Sequence, residues 1–323
     1  MGVTNTPKFA FAEILIACAI SFDGIRSNGR GTLMKAGIRK RLAAAAAVLS
    51  VSAALLVSAP GNGSAASAAP SLRAFGITGD GTLMATFTTD RPNVLDWVRA
   101  VTGLSGDTKL LALDHRVQNG LMYGLGDKGG IYTIKTPPQT SDVVVTKVSQ
   151  LQVALYGTNF GFDFNPAADR LRVVSDNGQN LRHNLNDHTT VEDTTLTTPP
   201  LTGPTRGVTA SGYTNNDLVA STGTLLYGID TTTDNLVLQA PANNGTLTTV
   251  GSLGFDAQPN AGLDIFSYLT NGKTTSVAAF ASLTPYGASS PTLYSINLVT
   301  GEPTPILQFP LNITSLAVTL TGS

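Results

Sequence analysis

Three aspartates recur at one position of a short repeated motif. Each follows two small or apolar residues, in the segments Ala112-Leu113-Asp114, Gly161-Phe162-Asp163 and Gly262-Leu263-Asp264. Brought together by a repeating fold, the carboxylates could hold a cation or a water cluster. Two of them could instead cleave a glycoside, which needs carboxyl groups about 5–5.5 Å or 6.5–9.5 Å apart. The structural alternative is that each aspartate caps a turn or accepts backbone amides within its own repeat.

The segment 159–184 has the most distinctive pattern, NFGFDFNPAADRLRVVSDNGQNLRHN. It is typical of three strands joined by two turns, the first opened by an Asn-Pro pair. With Asn165 paired to Arg170, the antiparallel register places Asp163 opposite Arg172. We therefore expect a charged pair on one face of this sheet.

The second turn of this segment, Asn177-Gly178, fits a two-residue hairpin loop. Such a loop places His183 opposite Arg172, with Arg170 two residues along on the same face. The row is either a buried charge network that fixes the packing of neighbouring sheets or a site at the mouth of a channel.

The candidate ligand-binding residues are the aspartates and their charged or histidine companions: Asp114, Arg116, Asp163, Arg170, Arg172, His183 and Asp264. For an enzyme, the catalytic candidates are Asp114, Asp163 and Asp264, with Arg116 or Arg172 orienting the substrate. Other chemistries have little support, because the sequence contains neither Gly-x-Ser-x-Gly nor a phosphate-binding loop with lysine. Its three histidines form no metal-ligand pattern. We expect no cofactor; only the loop 230–235 could bind calcium, and it lacks EF-hand spacing.

The elements that must position these residues are short strands. Hairpin signals such as Asp80-Gly81, Asn119-Gly120 and Asn271-Gly272 separate segments of alternating or β-branched residues. Only 93–104 has the spacing of a helical turn or two. The sequence therefore predicts an all-β fold.

The strands repeat with a period of about fifty residues. Tyr132, Tyr227 and Tyr294 mark one strand of the repeat, and we expect them to pack between sheets. The aspartates mark another strand, with Thr209 and Ala317 at the corresponding positions of the other two copies. The fifth copy is split between the two ends of the chain. The pattern predicts a five-bladed β-propeller closed by pairing of the N- and C-terminal strands, with a β-sandwich as the alternative.

The chain before this repeat has the anatomy of an export signal. Residues 34–68 combine four basic residues, the apolar run 42–59 and small residues at 66–68, which predicts a Sec signal peptide cleaved after Ala68. Residues 1–33 are then an upstream extension from a mis-assigned start codon. We expect residues 69–323 to be a single domain that is secreted or periplasmic.

The predicted domain is acidic. Residues 69–323 carry 13 Lys and Arg against 19 Asp and Glu, a formal charge of −6. Nucleic acid is therefore not an expected partner. No second long apolar run follows, so we expect no stable membrane insertion after cleavage. We expect a monomer with an extracellular ligand.

The stretch GFDFNPAADRLRVVSDNGQNLR resembles the family of secreted bacterial proteins catalogued as domain of unknown function 4394. The segments LALDHR and LYGID fit the same family, and the resemblance extends from about Phe75 to the carboxyl end. It implies export, a bacterial source and a propeller-like repeat, and no activity.

Three functions are consistent with these patterns. The first is a secreted binding module with a glycan, peptide or small molecule at one end of the channel. The second is a carboxylate-dependent glycoside hydrolase or lyase, and the third is a non-catalytic surface scaffold. An open channel lined by polar groups and aromatics favours the first, three aspartates that converge on the axis at those carboxyl distances favour the second, and a closed channel favours the third.

Overall fold

The structure is a computed structural model and describes residues 69–138 and 140–323. This part of the chain is all-β, with twenty strands and one short 3₁₀ helix. Within it, no helix has the length and apolar character needed to cross a bilayer. The predicted signal peptide (34–68) and upstream extension (1–33) lie outside the described residues.

The strands follow one another mostly as hairpins. The first seven are β1 (Arg73–Thr78), β2 (Leu83–Thr88), β3 (Trp97–Thr102), β4 (Leu110–His115), β5 (Met122–Gly126), β6 (Gly130–Ile134) and β7 (Val143–Gln150). The next four are β8 (Phe160–Asn165), β9 (Arg170–Ser175), β10 (Asn180–Asn184) and β11 (Thr189–Glu192). They are followed by β12 (Val208–Tyr213), β13 (Leu226–Asp230), β14 (Asn235–Gln239), the 3₁₀ helix Ala242–Asn244 and β15 (Leu247–Ser252). The last five are β16 (Gly262–Thr270), β17 (Lys273–Leu283), β18 (Thr292–Ile296), β19 (Pro303–Gln308) and β20 (Ile313–Val318).

The helical turn predicted within 93–104 is wrong, because residues 97–102 form strand β3. This strand pairs with β2, and Leu83 lies opposite Ala100. Trp97 and Arg99 are half-buried, whereas Val98 between them is exposed. This alternation of burial with a period of two is that of a β-strand, because successive side chains point to opposite faces of the sheet.

The strands form four sheets. Three are four-stranded and antiparallel in hairpin order, containing β8–β11, β12–β15 and β16–β19. The fourth has eight strands in the order β20-β1-β2-β3-β7-β6-β5-β4. Its two halves are joined into one sheet only by the parallel pairing of β3 with β7, through Val101 opposite Val143 and Thr102 opposite Val144. A β-sandwich has two sheets packed face to face, so this arrangement is propeller-like instead.

Five strands face the centre of this arrangement. They are β4, β8, β12, β16 and β20, called here the inner strands, and each contacts the next in that order. Strand β20 in turn contacts β4, so the series closes on itself. We call the line that these strands surround the ring axis. Strand β1 pairs with β20 along its length, with Phe75 opposite Ala317, as expected for closure by the two ends of the domain.

The three repeated tyrosines are buried between elements, as predicted. Tyr132 on β6 is 0% exposed and packs with Phe75 and Met84 from the neighbouring half of the eight-stranded sheet. Its hydroxyl donates a hydrogen bond of 2.6 Å to Asp107 Oδ2. Tyr227 and Tyr294 share one core cluster. An aromatic at this position therefore supplies packing area between sheets.

We expect Tyr132→Ala to lower the free energy of unfolding by about 3–5 kcal/mol, because it empties a fully buried aromatic position. Denaturant unfolding followed by circular dichroism measures this change. Tyr286→Ala is the matched control, since Tyr286 is 78% exposed and its loss should change stability by less than about 0.5 kcal/mol. Similar effects of the two substitutions would contradict the packing role of Tyr132.

Candidate functional site

Three of the five inner strands carry the repeated aspartates. Asp114 lies on β4, Asp163 on β8 and Asp264 on β16, and none is more than 6% exposed. One carboxylate oxygen of each lies within 4.8 Å of the others. Among the described residues, none of the three belongs to an ion pair. The fold thus gathers three carboxyl groups at the ring axis without a cationic side chain to balance them.

Each aspartate also joins its strand to the next inner strand. The carboxylates accept backbone amides across the sheet boundary: Phe164 N to Asp114 Oδ2 (2.7 Å), Tyr213 N to Asp163 Oδ1 (3.1 Å) and Val318 N to Asp264 Oδ2 (2.5 Å). Asp264 Oδ1 also accepts its neighbour's amide, Ile265 N, at 2.6 Å. The structural alternative placed the accepted amides within each repeat, whereas three of these four come from the following sheet. The aspartates therefore connect successive sheets near the axis.

The donating amides also show which residues of β12 and β20 correspond to the aspartates. On β8 the donor, Phe164, directly follows an aspartate, Asp163. The donors on β12 and β20 directly follow Gly212 and Ala317. Gly212, rather than Thr209, is thus the counterpart of the aspartates on β12. On β20, where Ala317 lacks a carboxylate, Ser315 Oγ accepts Leu113 N at 3.1 Å. A different side chain thereby makes a similar link between sheets.

Burial controls the charge of the aspartate cluster. Burial first, and then repulsion from Asp264, raises the pKa of Asp114 well above its ordinary value. The pKa of Asp163 is raised in the same way, by burial and then by the charges of Asp114 and Asp264. Burial raises the pKa of Asp264 to about 6, although the amides of Val318 and Ile265 oppose the shift. Three ionised carboxylates at this spacing are unfavourable, so the cluster favours bound protons.

Arg172 lies opposite Asp163 in the β8–β9 register, as predicted, but bonds elsewhere. Its guanidinium donates to Asn180 Oδ1 at 2.7 Å, to Asp193 Oδ2 at 2.8 Å and to Asn243 Oδ1 at 2.7 Å. Asn243 belongs to the 3₁₀ helix of the neighbouring sheet. Arg172 is 2% exposed, so this network fixes the packing of two sheets. Sequence reasoning missed Asp193, which lies beyond the segment 159–184.

The predicted position of His183 is wrong by one residue. Ser175 N donates to Gln179 O, so the turn contains the three residues 176–178 instead of two. Gly178 has φ +86°, the left-handed conformation common in three-residue loops. Because a one-residue shift moves every side chain to the other face, Arg182 pairs with Arg172 and His183 with Leu171.

His183 consequently faces a different set of neighbours. It is fully buried and bonds Ser149 Oγ at 2.8 Å and Thr190 Oγ1 at 2.9 Å. Burial, and then the charge of His188, lowers the pKa of His183 to about 4. The imidazole is neutral at pH 7, and its two bonds occupy both ring nitrogens.

The two remaining arginine candidates lie at loops. Arg116 forms an ion pair with Asp169, with 2.5 Å between Nη2 and Oδ2, and also bonds Asn186 Oδ1 at 3.0 Å. Arg170 Nη1 donates to the carbonyl oxygen of Asp169 at 2.7 Å. Both therefore act on the loop between β8 and β9. In the loop 230–235, Asp230 Oδ1 accepts the backbone amides of the two residues that follow Thr231.

A polar pocket of about 170 Å³ lies where the inner strands begin. We call it the axial pocket. Residues at or next to the first positions of all five inner strands line it, among them Lys109, Asn159, Thr209, Asn260 and Asn312. Thr209 Oγ1 is buried there and has no hydrogen-bond partner among the described residues. At about 3.3 Å per strand residue, the aspartates lie roughly 10 Å further along the axis. Sequence reasoning missed this pocket, although polar residues directly precede three of the inner strands, at Lys109, Asn159 and Asn312.

The sequence model of the family Domain of unknown function (DUF4394) matches residues 83–317. No curated protein matches the chain.

Solved structures give distant likenesses. A Bacteroides thetaiotaomicron protein of unknown function is 13% identical with a TM-score of 0.42, and the match covers 73% of this chain and 58% of that one. Myxococcus xanthus glutaminyl cyclase is 11% identical with a TM-score of 0.40, covering 67% and 91% of the two chains. The WD40 domain of Toxoplasma gondii coronin is 10% identical with a TM-score of 0.35, covering 73% and 55%. Likenesses at this level carry no functional inference.

The raised pKa of Asp163 predicts a pH-dependent effect of its neutral isostere. An acid with a higher pKa in the folded chain favours folding at low pH, and this contribution disappears as pH rises from the unfolded value of about 3.9 through the folded one. Relative to wild type, Asp163→Asn should therefore gain stability as pH rises above about 4 and through the raised pKa of the folded-state carboxyl, because the neutral amide avoids ionising a buried acid. Denaturant unfolding at several pH values measures the difference.

Asp169→Asn is the control variant, for which we expect the opposite change in stability at neutral pH. The hydrogen bond from Arg116 lowers the pKa of Asp169, so its replacement should reduce stability at neutral pH and have less effect in acid. A loss of stability in Asp163→Asn that is equal at every pH would contradict a protonated cluster.

Proposed function

The chain belongs to the family Domain of unknown function (DUF4394), and from this premise we propose that it is an exported five-bladed β-propeller that binds a ligand without catalysing a reaction. The proposed ligand is an extracellular glycan, peptide or small molecule. It binds in the axial pocket, where the inner strands begin.

Two features support the count of five blades. The eight-stranded sheet divides naturally at β3 and β7, which share only two residue pairs. The division gives the four-stranded units β20-β1-β2-β3 and β4–β7 beside three separate four-stranded sheets. In addition, the five inner strands contact one another in a closed series. Joining the two ends of the domain in one unit removes exposed edges.

The axial pocket is the observation that carries the binding function. All five inner strands contribute lining residues, so its shape depends on the whole ring. Its amide and hydroxyl groups can donate and accept hydrogen bonds, and Thr209 Oγ1 has no partner of its own. The volume of about 170 Å³ is below that of typical pockets for whole drug-sized ligands. We therefore expect a single sugar unit, a peptide side chain or the end of a longer molecule to enter it.

Catalysis by the aspartates has less support. All three are almost completely buried, and each already accepts a backbone amide. One carboxylate oxygen of each lies within 4.8 Å of the others, which is near the spacing of a retaining glycosidase, but burial keeps the carboxyl groups out of reach of a sugar ring. A surface scaffold is the second candidate, favoured by the closure of the axis at the aspartate cluster.

Removing polar groups from the axial pocket should weaken binding. We expect the double variant Asn260→Ala, Asn312→Ala to bind any ligand found on glycan and peptide arrays about tenfold more weakly, because hydrogen bonds are lost. Isothermal titration calorimetry measures the change. Asn244→Ala is the matched control, an exposed asparagine on the 3₁₀ helix away from the pocket. Equal affinity of the double variant and wild type would contradict ligand binding in this pocket, and no array ligand at all would favour the scaffold.

Export has its own test. Expressed from Met34 in a bacterial host, the protein should leave the cytoplasm and lose residues 34–68, since the small side chains of Ala66 and Ala68 suit signal peptidase. Amino-terminal sequencing of the exported form should begin at Ala69-Pro70. A cytoplasmic protein that retains these residues would contradict export.

A further inference from the structure

A second cavity lies at the opposite end of the inner strands from the axial pocket. Its volume is about 630 Å³, within the range of small-molecule sites. Residues of β1 and β3 line one side, and His115 at the end of β4 and Thr319 after β20 also line it. We call it the His115 cavity.

Two polar groups in the His115 cavity lack partners. His115 is 8% exposed, and neither ring nitrogen forms a hydrogen bond to the described residues. Thr319 Oγ1 is likewise buried and unbonded. Burial lowers the pKa of His115 to about 4; the backbone of Gly120, which lies near the ring without completing a hydrogen bond of normal geometry, opposes this shift. The neutral imidazole therefore offers one donor and one acceptor, and buried groups of this kind normally have partners.

Aromatic rings form much of the remaining wall. The ring centroids of Phe75 and Trp97 are 6.0 Å apart with 44° between the planes, and those of Phe75 and His115 are 6.4 Å apart with 54°. Arg99, which is not part of the lining, places its guanidinium carbon 5.4 Å from the centre of the Trp97 ring. That contact stabilises the ring in position. The cavity thus combines apolar ring surfaces with two side chains whose unbonded polar atoms lie just beneath its wall.

The side-chain charges at the cavity cancel. Arg73 and Asp96, the lining residues with charged side chains, form an ion pair with each other. A charged ligand would lose its hydration in the cavity without gaining an opposite side-chain charge. A purely aromatic ligand would leave His115 and Thr319 without partners. The ligand that fits is neutral, with an apolar face and with hydroxyl groups that both donate and accept.

We propose that the His115 cavity is a second binding site, for a neutral hydroxylated ring of the kind found in the pyranose units of glycans. The C–H face of the sugar lies against the half-buried ring of Trp97, and its hydroxyls bond His115 and Thr319 after these two side chains turn their buried polar atoms into the cavity. This site is independent of the axial pocket, at the other end of the ring.

Trp97 is the only tryptophan of the chain, so its fluorescence reports on this cavity. Titration with cellobiose, maltose and N,N′-diacetylchitobiose should give a saturable change in emission with at least one sugar. His115→Phe, which keeps an aromatic ring but removes both polar atoms, should raise the Kd about tenfold. His115→Gln keeps a donor and an acceptor and should stay within about threefold of wild type. Thr319→Val should also weaken binding, which provides a second test if His115→Phe fails to fold.

The controls separate this site from the axial pocket. The double variant Asn260→Ala, Asn312→Ala should respond to the sugars as wild type does, whatever its effect on array ligands. Absence of a saturable change with all three sugars up to about 10 mM would overturn the proposal. Equal affinities of wild type, His115→Phe and Thr319→Val would overturn it too. Saturable binding of benzyl alcohol without binding of any sugar would show that the cavity selects aromatic compounds, which would also reject the proposed class.

Discussion

The links between neighbouring inner strands depend on side chains that reach across a sheet boundary to a backbone amide. Backbone hydrogen bonds within a sheet cannot make this link, because the inner strand of one sheet presents its edge to the axis. Asp114, Asp163 and Asp264 make it with carboxylates, and Ser315 makes it with a hydroxyl. Away from the axis, the contact between sheets is supplied by Arg172 with Asn243 and by buried tyrosines.

This arrangement has an electrostatic consequence. Carboxylates that reach inward from three strands must meet, and burial then raises their pKa values instead of leaving them ionised. The cluster lies between the two ends of the inner strands. One end holds the polar axial pocket, and the other holds the aromatic His115 cavity. The two candidate sites therefore lie on opposite sides of the groups that join the inner strands.

Much of the site could be anticipated because its signals are local. The position of Asp163 opposite Arg172 follows from a short turn whose length is visible in the sequence. The partners of Arg172 could not be anticipated, because Asp193 and Asn243 reach it only after the sheets pack. His183 shows that a small error in turn length is enough to make a side-chain position unpredictable from the sequence. One additional loop residue moved it to the opposite face, where it bonds Ser149.

The sequence by itself determined most of the strands, the places of the turns and the period of about fifty residues, since alternation of side chains and turn chemistry act over a few neighbouring residues. It also marked the inner-strand aspartates, because the repeat places equivalent residues at equivalent positions. Only the tertiary structure decided which groups remain unbonded. His115 looked like an isolated histidine in the sequence and became a cavity residue when β1, β3 and the segment after β20 were assembled around it. Burial and hydrogen bonding depend on neighbours distant in the chain, and these exist only in the folded ring.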